Sequence, residues 1–237
     1  MKIKIILGED TGLLKSYYTI AENSEYEIVI RGSRFICTLK RVEDEEDAKA
    51  FIQQIKKEHW KATHNCSAYL IGDRDEIQRA HDDGEPSGTA GVPMLEVLKK
   101  NDLKYVAAVV TRYFGGTKLG AGGLIRAYSK SVSSTLKEVG IVERSIQVPV
   151  NCTVSYSASG KLENTLIQSD YTVIDTLYTD QVTFVVGIPA DHVEAFQSDM
   201  IDFMNGNIHF ETGEAQYVES RLSAVAEDDW DDLGEEE

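Results

Sequence analysis

Cysteine is scarce in this chain, basic residues nearly vanish beyond residue 144, and no long hydrophobic run occurs. Only Cys37, Cys66 and Cys152 are present in 237 residues. Their odd number, wide spacing and lack of a C-x-x-C pair argue against a disulfide framework or a cysteine-ligated zinc site. His59, His81, His192 and His209 are scattered and supply no H-x-x-x-H pattern. No apolar stretch approaches the roughly 18 residues of a membrane helix, and the N-terminus lacks the apolar core and cleavage pattern of a signal peptide. These absences predict a cytoplasmic protein with no membrane partner. What is present, 42% hydrophobic and 27% charged residues with 18 glycines, is globular composition with room for one large or two small domains.

The formal net charge of -16 is unevenly distributed. Residues 15–144 hold 20 basic and 19 acidic residues, whereas residues 145–237 hold only Lys161 and Arg221 against 19 acidic ones. Two differently charged units are implied. Counterion-releasing contact with RNA needs clustered Lys and Arg, so any nucleic-acid contact belongs to the first unit.

Residues 1–15 read as an N-terminal extension outside the native fold, with a short edge strand at 2–7 followed by a polar turn. The β-rich runs 27–31 and 34–40 flank Gly32-Ser33 as a hairpin does. The acidic run 43–47 suits a helix start, after which Ala48, Phe51, Ile52 and Ile55 recur at helical spacing. A strand at 67–71 pairs with 77–80, a short helix spans 92–100 with Met94, Leu95 and Leu98 inward, and 106–110 predicts a strand buried on both faces. A helix from 122 to 139 places Ile125, Tyr128, Val132, Leu136 and Val139 on one side and stops at Gly140. Beyond it, strand 146–156, helix 159–168, strands 171–178 and 182–188, a helix over 191–204 capped by Asp191, and strand 215–221 give the βαββαβ order of a ferredoxin-like domain. The fold class is therefore α+β in two domains, 16–141 and 146–221, with an acidic, disordered tail at 224–237.

Three features can carry chemistry. Gly115, Gly116, Gly120, Gly122 and Gly123 lie between a buried strand and a helix, where the backbone can take positive φ and approach a ligand closely. Arg112, Lys118, Arg126 and Lys130 add positive charge beside a helix N-terminus that favours anions. Spacing leaves two readings open, tight packing or an anion site for phosphate or RNA backbone. Neither a Walker A loop nor the dinucleotide-binding motif is matched. The loop with Asp82, Asp83, Glu85, Ser87 and Thr89 clusters three carboxylates and two hydroxyls; it is either a turn or a Mg²⁺ site at Asp82, Asp83 and Glu85. His64 and Cys66 share one strand face, without a third orienting group evident from spacing, which favours a structural role over a nucleophile.

These stretches together, His64-Asn65-Cys66-Ser67-Ala68-Tyr69, the loop from Asp82 through Gly91, Arg112-Tyr113-Phe114-Gly115-Gly116, Lys118 through Leu124 and Arg126-Ala127-Tyr128, resemble the IMPACT family in its bacterial YigZ-type branch. The resemblance covers residues 17–216. It implies an N-terminal α/β fold shared with a ribosomal small-subunit protein domain and elongation factor G domain IV, followed by a ferredoxin-like domain similar to elongation factor G domain V. It also implies translation regulation under stress, in bacteria near RNA, the ribosome or a translation factor, with no cofactor, no catalytic residue and no DNA sequence specificity. Family members begin near Leu14, so residues 1–15 are expected to come from an upstream start. The acidic second unit is expected to present its charge to a protein or to be repelled from RNA, orienting the first unit. Two alternatives stand beside this. One is a Mg-dependent enzyme acting on a phosphorylated small molecule held at the Gly-rich loop; the other is a pure protein-interaction module using the acidic domain and tail.

Overall fold

The computed structural model describes residues 15–222. The expected edge strand at 2–7 and the acidic tail lie outside the described residues. The chain divides into two compact units, one built on residues 17–143 and the other on residues 144–220.

The first unit begins with β1 (Ser16–Ile20), which pairs with β7 (Ile141–Val154). Its own sheet has the order β2-β3-β6-β4-β5, from β2 (Ser24–Ile30), β3 (Ser33–Arg41), β4 (His64–Ile71), β5 (Ile77–His81) and β6 (Val106–Tyr113). All neighbouring strands are antiparallel. The β2–β3 hairpin turns at Arg31 and Gly32, both at positive φ (46° and 79°), the backbone that a tight hairpin requires.

Helix α1 (Glu45–Glu58) starts where the Asp44 side chain accepts the Asp47 N–H at 2.8 Å, which satisfies one of the helix's unpaired donors. Its buried Ala48, Phe51, Ile52 and Ile55 pack on Tyr69, Ile71, Ala107 and Val109. Helices α2 (Gly91–Lys100) and α3 (Gly120–Val139) cover the opposite face, where Met94, Leu98, Tyr128, Val132 and Leu136 meet Phe35, Leu39, Leu70, Ala108 and Val110. Strand β6 thus alternates between two cores, which is why its sequence is apolar without interruption. Ile125, expected inward, is only half-buried. Each fully buried Leu or Phe contributes about 1.5–3 kcal/mol, so both helical layers are firmly held to the sheet.

In the second unit β7 leads to α4 (Tyr156–Ile167), β8 (Thr172–Tyr178), β9 (Val182–Ile188), α5 (Val193–Phe203), β10 (His209–Thr212) and β11 (Gln216–Arg221). The sheet runs β8-β9-β7, with β10 and β11 both on the other edge of β7. That is the antiparallel order of a ferredoxin-like sheet, its last strand broken in two. The alternating residues Val148, Val150, Cys152 and Val154 face Phe184, Leu162, Phe196 and Met200 in the core. Asp191 does not cap the second helix. It sits in a 3₁₀ turn (Ala190–His192) after Pro189, and α5 begins one residue beyond that turn.

Candidate functional site

Strand register brings the start of β3, the start of β4 and the end of β6 to one end of the first sheet, with Arg34 opposite Tyr113 and His64 opposite Arg112. The loop after β5 folds over this end because the Asp82 carboxylate accepts the amides of Gly88 (2.8 Å), Ala90 (3.1 Å) and Gly91 (2.9 Å). Burial alone would raise the Asp82 carboxyl, but these three amides outweigh it and hold the group below the usual carboxylate range. Ala90 precedes α2 and offers no side-chain cap, so Asp82 performs that task from a distance. Gly91 must be glycine, since a Cβ there would lie 2.5 Å from the His81 nitrogen.

Next in the loop, Asp83 accepts the Asn65 N–H at 2.7 Å and pairs with Lys56 at 2.5 Å, while its carbonyl accepts from His64 Nδ1 at 2.9 Å. Glu85 turns inward. Its Oε1 accepts from Arg112 Nη1 at 2.6 Å and from the Tyr128 hydroxyl at 2.9 Å, and its Oε2 lies 3.7 Å from His64 Nε2. The Cys66 thiol donates toward the Asp82 carbonyl at 2.9 Å and sits 3.3 Å from the Tyr128 oxygen. Burial pushes this thiol up to about 12 and, with the adjacent Cys66 and Glu85, pushes the Tyr128 phenol far above its ordinary value. Burial thus favours the neutral thiol of Cys66 over the thiolate that a nucleophile requires.

The glycines divide by environment. A Cβ on Gly115 would stand 1.9 Å from the Gly32 backbone, and the Gly115 N–H donates to Ser33 Oγ at 3.1 Å. This glycine packs two loops together. Gly123 would bring a Cβ within 3.0 Å of Leu119 Cβ. In contrast, Gly116 and Gly120 have positive φ (91° and 72°) and, like Gly122, open onto free space. No side chain caps α3, whose preceding residue is Leu119.

The expected residues therefore fall into two groups. His64, Asp83, Glu85 and Arg112 join one network, whereas Lys118 is exposed in the loop before α3 and Arg126 and Lys130 are exposed on the helix itself. Arg112 stands apart from the other three cations: its side chain is 6% exposed and engaged by Glu85, with its guanidinium 5.3 Å from the Phe35 ring centre and 5.6 Å from that of Phe114. Ser87 is exposed, and Thr89 is buried with its hydroxyl donating to the Pro86 carbonyl at 2.7 Å. Among the described residues no group of three or more His, Cys, Asp or Glu is arranged to hold a metal ion. Sequence periodicity assigned Tyr128 to the apolar face of α3 without its polar role. The available signal was that a buried tyrosine needs a hydroxyl partner.

The Impact N-terminal domain matches residues 31–136, the span that contains all of these side chains, and a domain of unknown function (DUF1949) matches residues 152–207. IMPACT family member YvyE of Bacillus subtilis is 52% identical over 215 residues, 91% of this chain and 99% of its own length. The chain belongs to the IMPACT family. IMPACT family member YigZ of Escherichia coli is 36% identical over 76% of this chain and 89% of its own length. A solved crystal structure of a hypothetical protein superposes with a TM-score of 0.54 at 34% identity, covering 84% of this chain and 97% of that one. The IMPACT homolog of Saccharomyces cerevisiae is 34% identical over 116 residues, 42% of its length. The IMPACT resemblance noted in the sequence thus holds, as does the two-domain α+β architecture. Among the described residues no helix is long and apolar enough to cross a membrane.

Proposed function

We propose that this IMPACT-family chain is a translation-associated regulator without a chemical step of its own, and that its first unit contacts RNA phosphates on the ribosome. The exposed entry to α3 carries this reading. Its first-turn N–H groups lack a side-chain cap, Gly116, Gly120 and Gly122 leave the backbone open to close approach, Lys118 stands exposed just before it, and Arg126 and Lys130 are exposed farther along α3. Arg126 and Lys130 are four residues apart and share one face of α3. Glu85 accepts hydrogen bonds from Arg112 on β6 and Tyr128 on α3, the two elements that flank the loop. Kinship with eukaryotic proteins named as IMPACT homologs supports a regulatory role. The acidic second unit would be repelled by phosphate, which leaves the first unit as the contact.

The test is co-sedimentation of the full chain with ribosomes through sucrose gradients, wild type beside Lys118→Glu and Arg126→Glu, at low and moderate salt. Binding that weakens with salt and is lost in both variants, with unchanged melting temperature, is the expected result. Absence of co-sedimentation at every salt concentration, or full retention in the variants, would rule out this contact.

A further inference from the structure

The end of the first sheet that leads into α3 also displays two aromatic rings to solvent. Trp60, in the loop between α1 and β4, is 73% exposed, and Phe114, in the loop between β6 and α3, is 47% exposed. Single exposed apolar side chains are ordinary, but these two stand on loops that are tied to each other. The Thr63 N–H donates to the Arg112 carbonyl at 2.9 Å, the Phe114 N–H donates to Thr63 Oγ1 at 3.1 Å, and His59 Nδ1 lies 3.0 Å from the Tyr113 hydroxyl. Trp60 sits between those anchors. Both rings are thus carried by fixed backbone while much of their surface stays in water.

The charge beside the rings is positive. Lys61 Nζ lies 5.0 Å from the Trp60 ring centre, and Gly115 packs against Gly32 in the β2–β3 turn that holds Arg31. Among the described residues Arg31, Lys61 and Lys118 are exposed and have no carboxylate partner. The neighbouring carboxylates are taken: Glu27 by Arg34 at 2.8 and 2.7 Å, Glu85 by Arg112 and Asp83 by Lys56. Lys57 and Glu58, adjacent at the end of α1, cancel in net charge. Exposed rings with unpaired cations beside them suit a nucleobase and its phosphate, the base stacking and the cation meeting the backbone. An acidic peptide would use the cations and leave the rings in water. A duplex keeps its base faces inside its own stack, so only unpaired bases can reach Trp60 and Phe114.

We infer that the RNA engaged by the first unit is single-stranded where it meets this end of the sheet, with unpaired bases stacked on Trp60 and Phe114 and phosphates at Lys61 and Lys118. The inference rests on the RNA contact proposed above and names the kind of RNA that it takes.

The test titrates the full chain with a single-stranded RNA of about twelve nucleotides, a length within the range of such sites, and with the duplex formed from the same strand and its complement. A Trp230→Phe background leaves Trp60 as the sole tryptophan, so quenching of its emission reports stacking directly. The single strand is expected to quench Trp60 and to bind more tightly than the duplex, although the duplex has the denser phosphate charge. Trp60→Ala and Phe114→Ala, followed by anisotropy of labelled RNA, should each weaken the single strand by about tenfold with little effect on the duplex. Trp60→Phe should retain most of the affinity, and Lys118→Glu should weaken both RNAs. Equal binding of the two RNAs, unchanged in the aromatic variants and lost in Lys118→Glu, would overturn stacking and leave the phosphate contact standing. Ribosome co-sedimentation with no oligonucleotide binding at low salt would do the same. Failure to bind either RNA or the ribosome would overturn both readings.

Discussion

Arg112 Nη1 lies 2.6 Å from Glu85 Oε1, with the two side chains only 6% and 4% exposed. A buried ion pair strongly resists the loss of one partner, because the other charge is then left unpaired in a poorly solvating interior. Glu85→Ala is expected to destabilise the first unit by about 3–5 kcal/mol, read by denaturant unfolding. The double variant Glu85→Met/Arg112→Met should lose far less than the sum of the single changes. Additive losses would show that the pair is not a unit.

Asp82 contributes to the acid limb of stability. Its folded carboxyl sits below the ordinary value of 3.8, so the stabilisation is fully present above that value and is lost as pH falls through the depressed folded value. Asp82→Ala should cost about 0.5–2 kcal/mol at neutral pH, the range for a lost helix cap. The difference from wild type should shrink below the normal aspartate range. A difference that stays constant with pH would show that the carboxylate's charge does not matter there.

Thiol chemistry offers a check on packing. Cys37, Cys66 and Cys152 are free and buried, and burial pushes each up to about 12. Native protein should therefore resist a thiol-specific reagent at mildly alkaline pH, with all three cysteines reacting once denaturant is added. Rapid labelling of Cys66 in the native state would show that the loop over it opens.

Gly115 and Gly122 should respond in opposite directions. Gly115→Ala forces a Cβ into the Gly32 backbone and should lower the melting temperature sharply. Gly122→Ala meets no atom within 4 Å inside α3 and should raise helix stability by about 0.5–1 kcal/mol. If RNA phosphate approaches that backbone as proposed, Gly122→Ala will weaken ribosome binding even as it stabilises the fold. Thermal melts and co-sedimentation on the same preparations separate the two effects.

Much of the fold was legible because its periodicities are strong. The stripe Ala48, Phe51, Ile52 and Ile55 needs only a 3.6-residue repeat to declare α1, and the apolar run at 106–110 declares a strand with two buried faces. Strands β1 and β10 went unread, being short and half-exposed and taking their definition from pairing with β7. β7 itself begins five residues earlier than its pattern suggested. Asp191 looked like a cap because its residue type favours that position, yet Pro189 places the turn so that the helix starts later.

The sequence by itself determined the two-domain α+β class, most of the helices and strands, the charge asymmetry and the family, because each is written in composition, spacing or contiguous motif. Only the tertiary structure decided what the polar residues do. Arg112 and Lys118 are both basic and near the same glycines, but β6 carries Arg112 inward to Glu85 while the loop leaves Lys118 in solvent. Tyr128, 43 residues from Glu85 in the chain, donates a hydrogen bond to it. Such pairings follow from strand register and long-range packing, and local sequence carries no record of them.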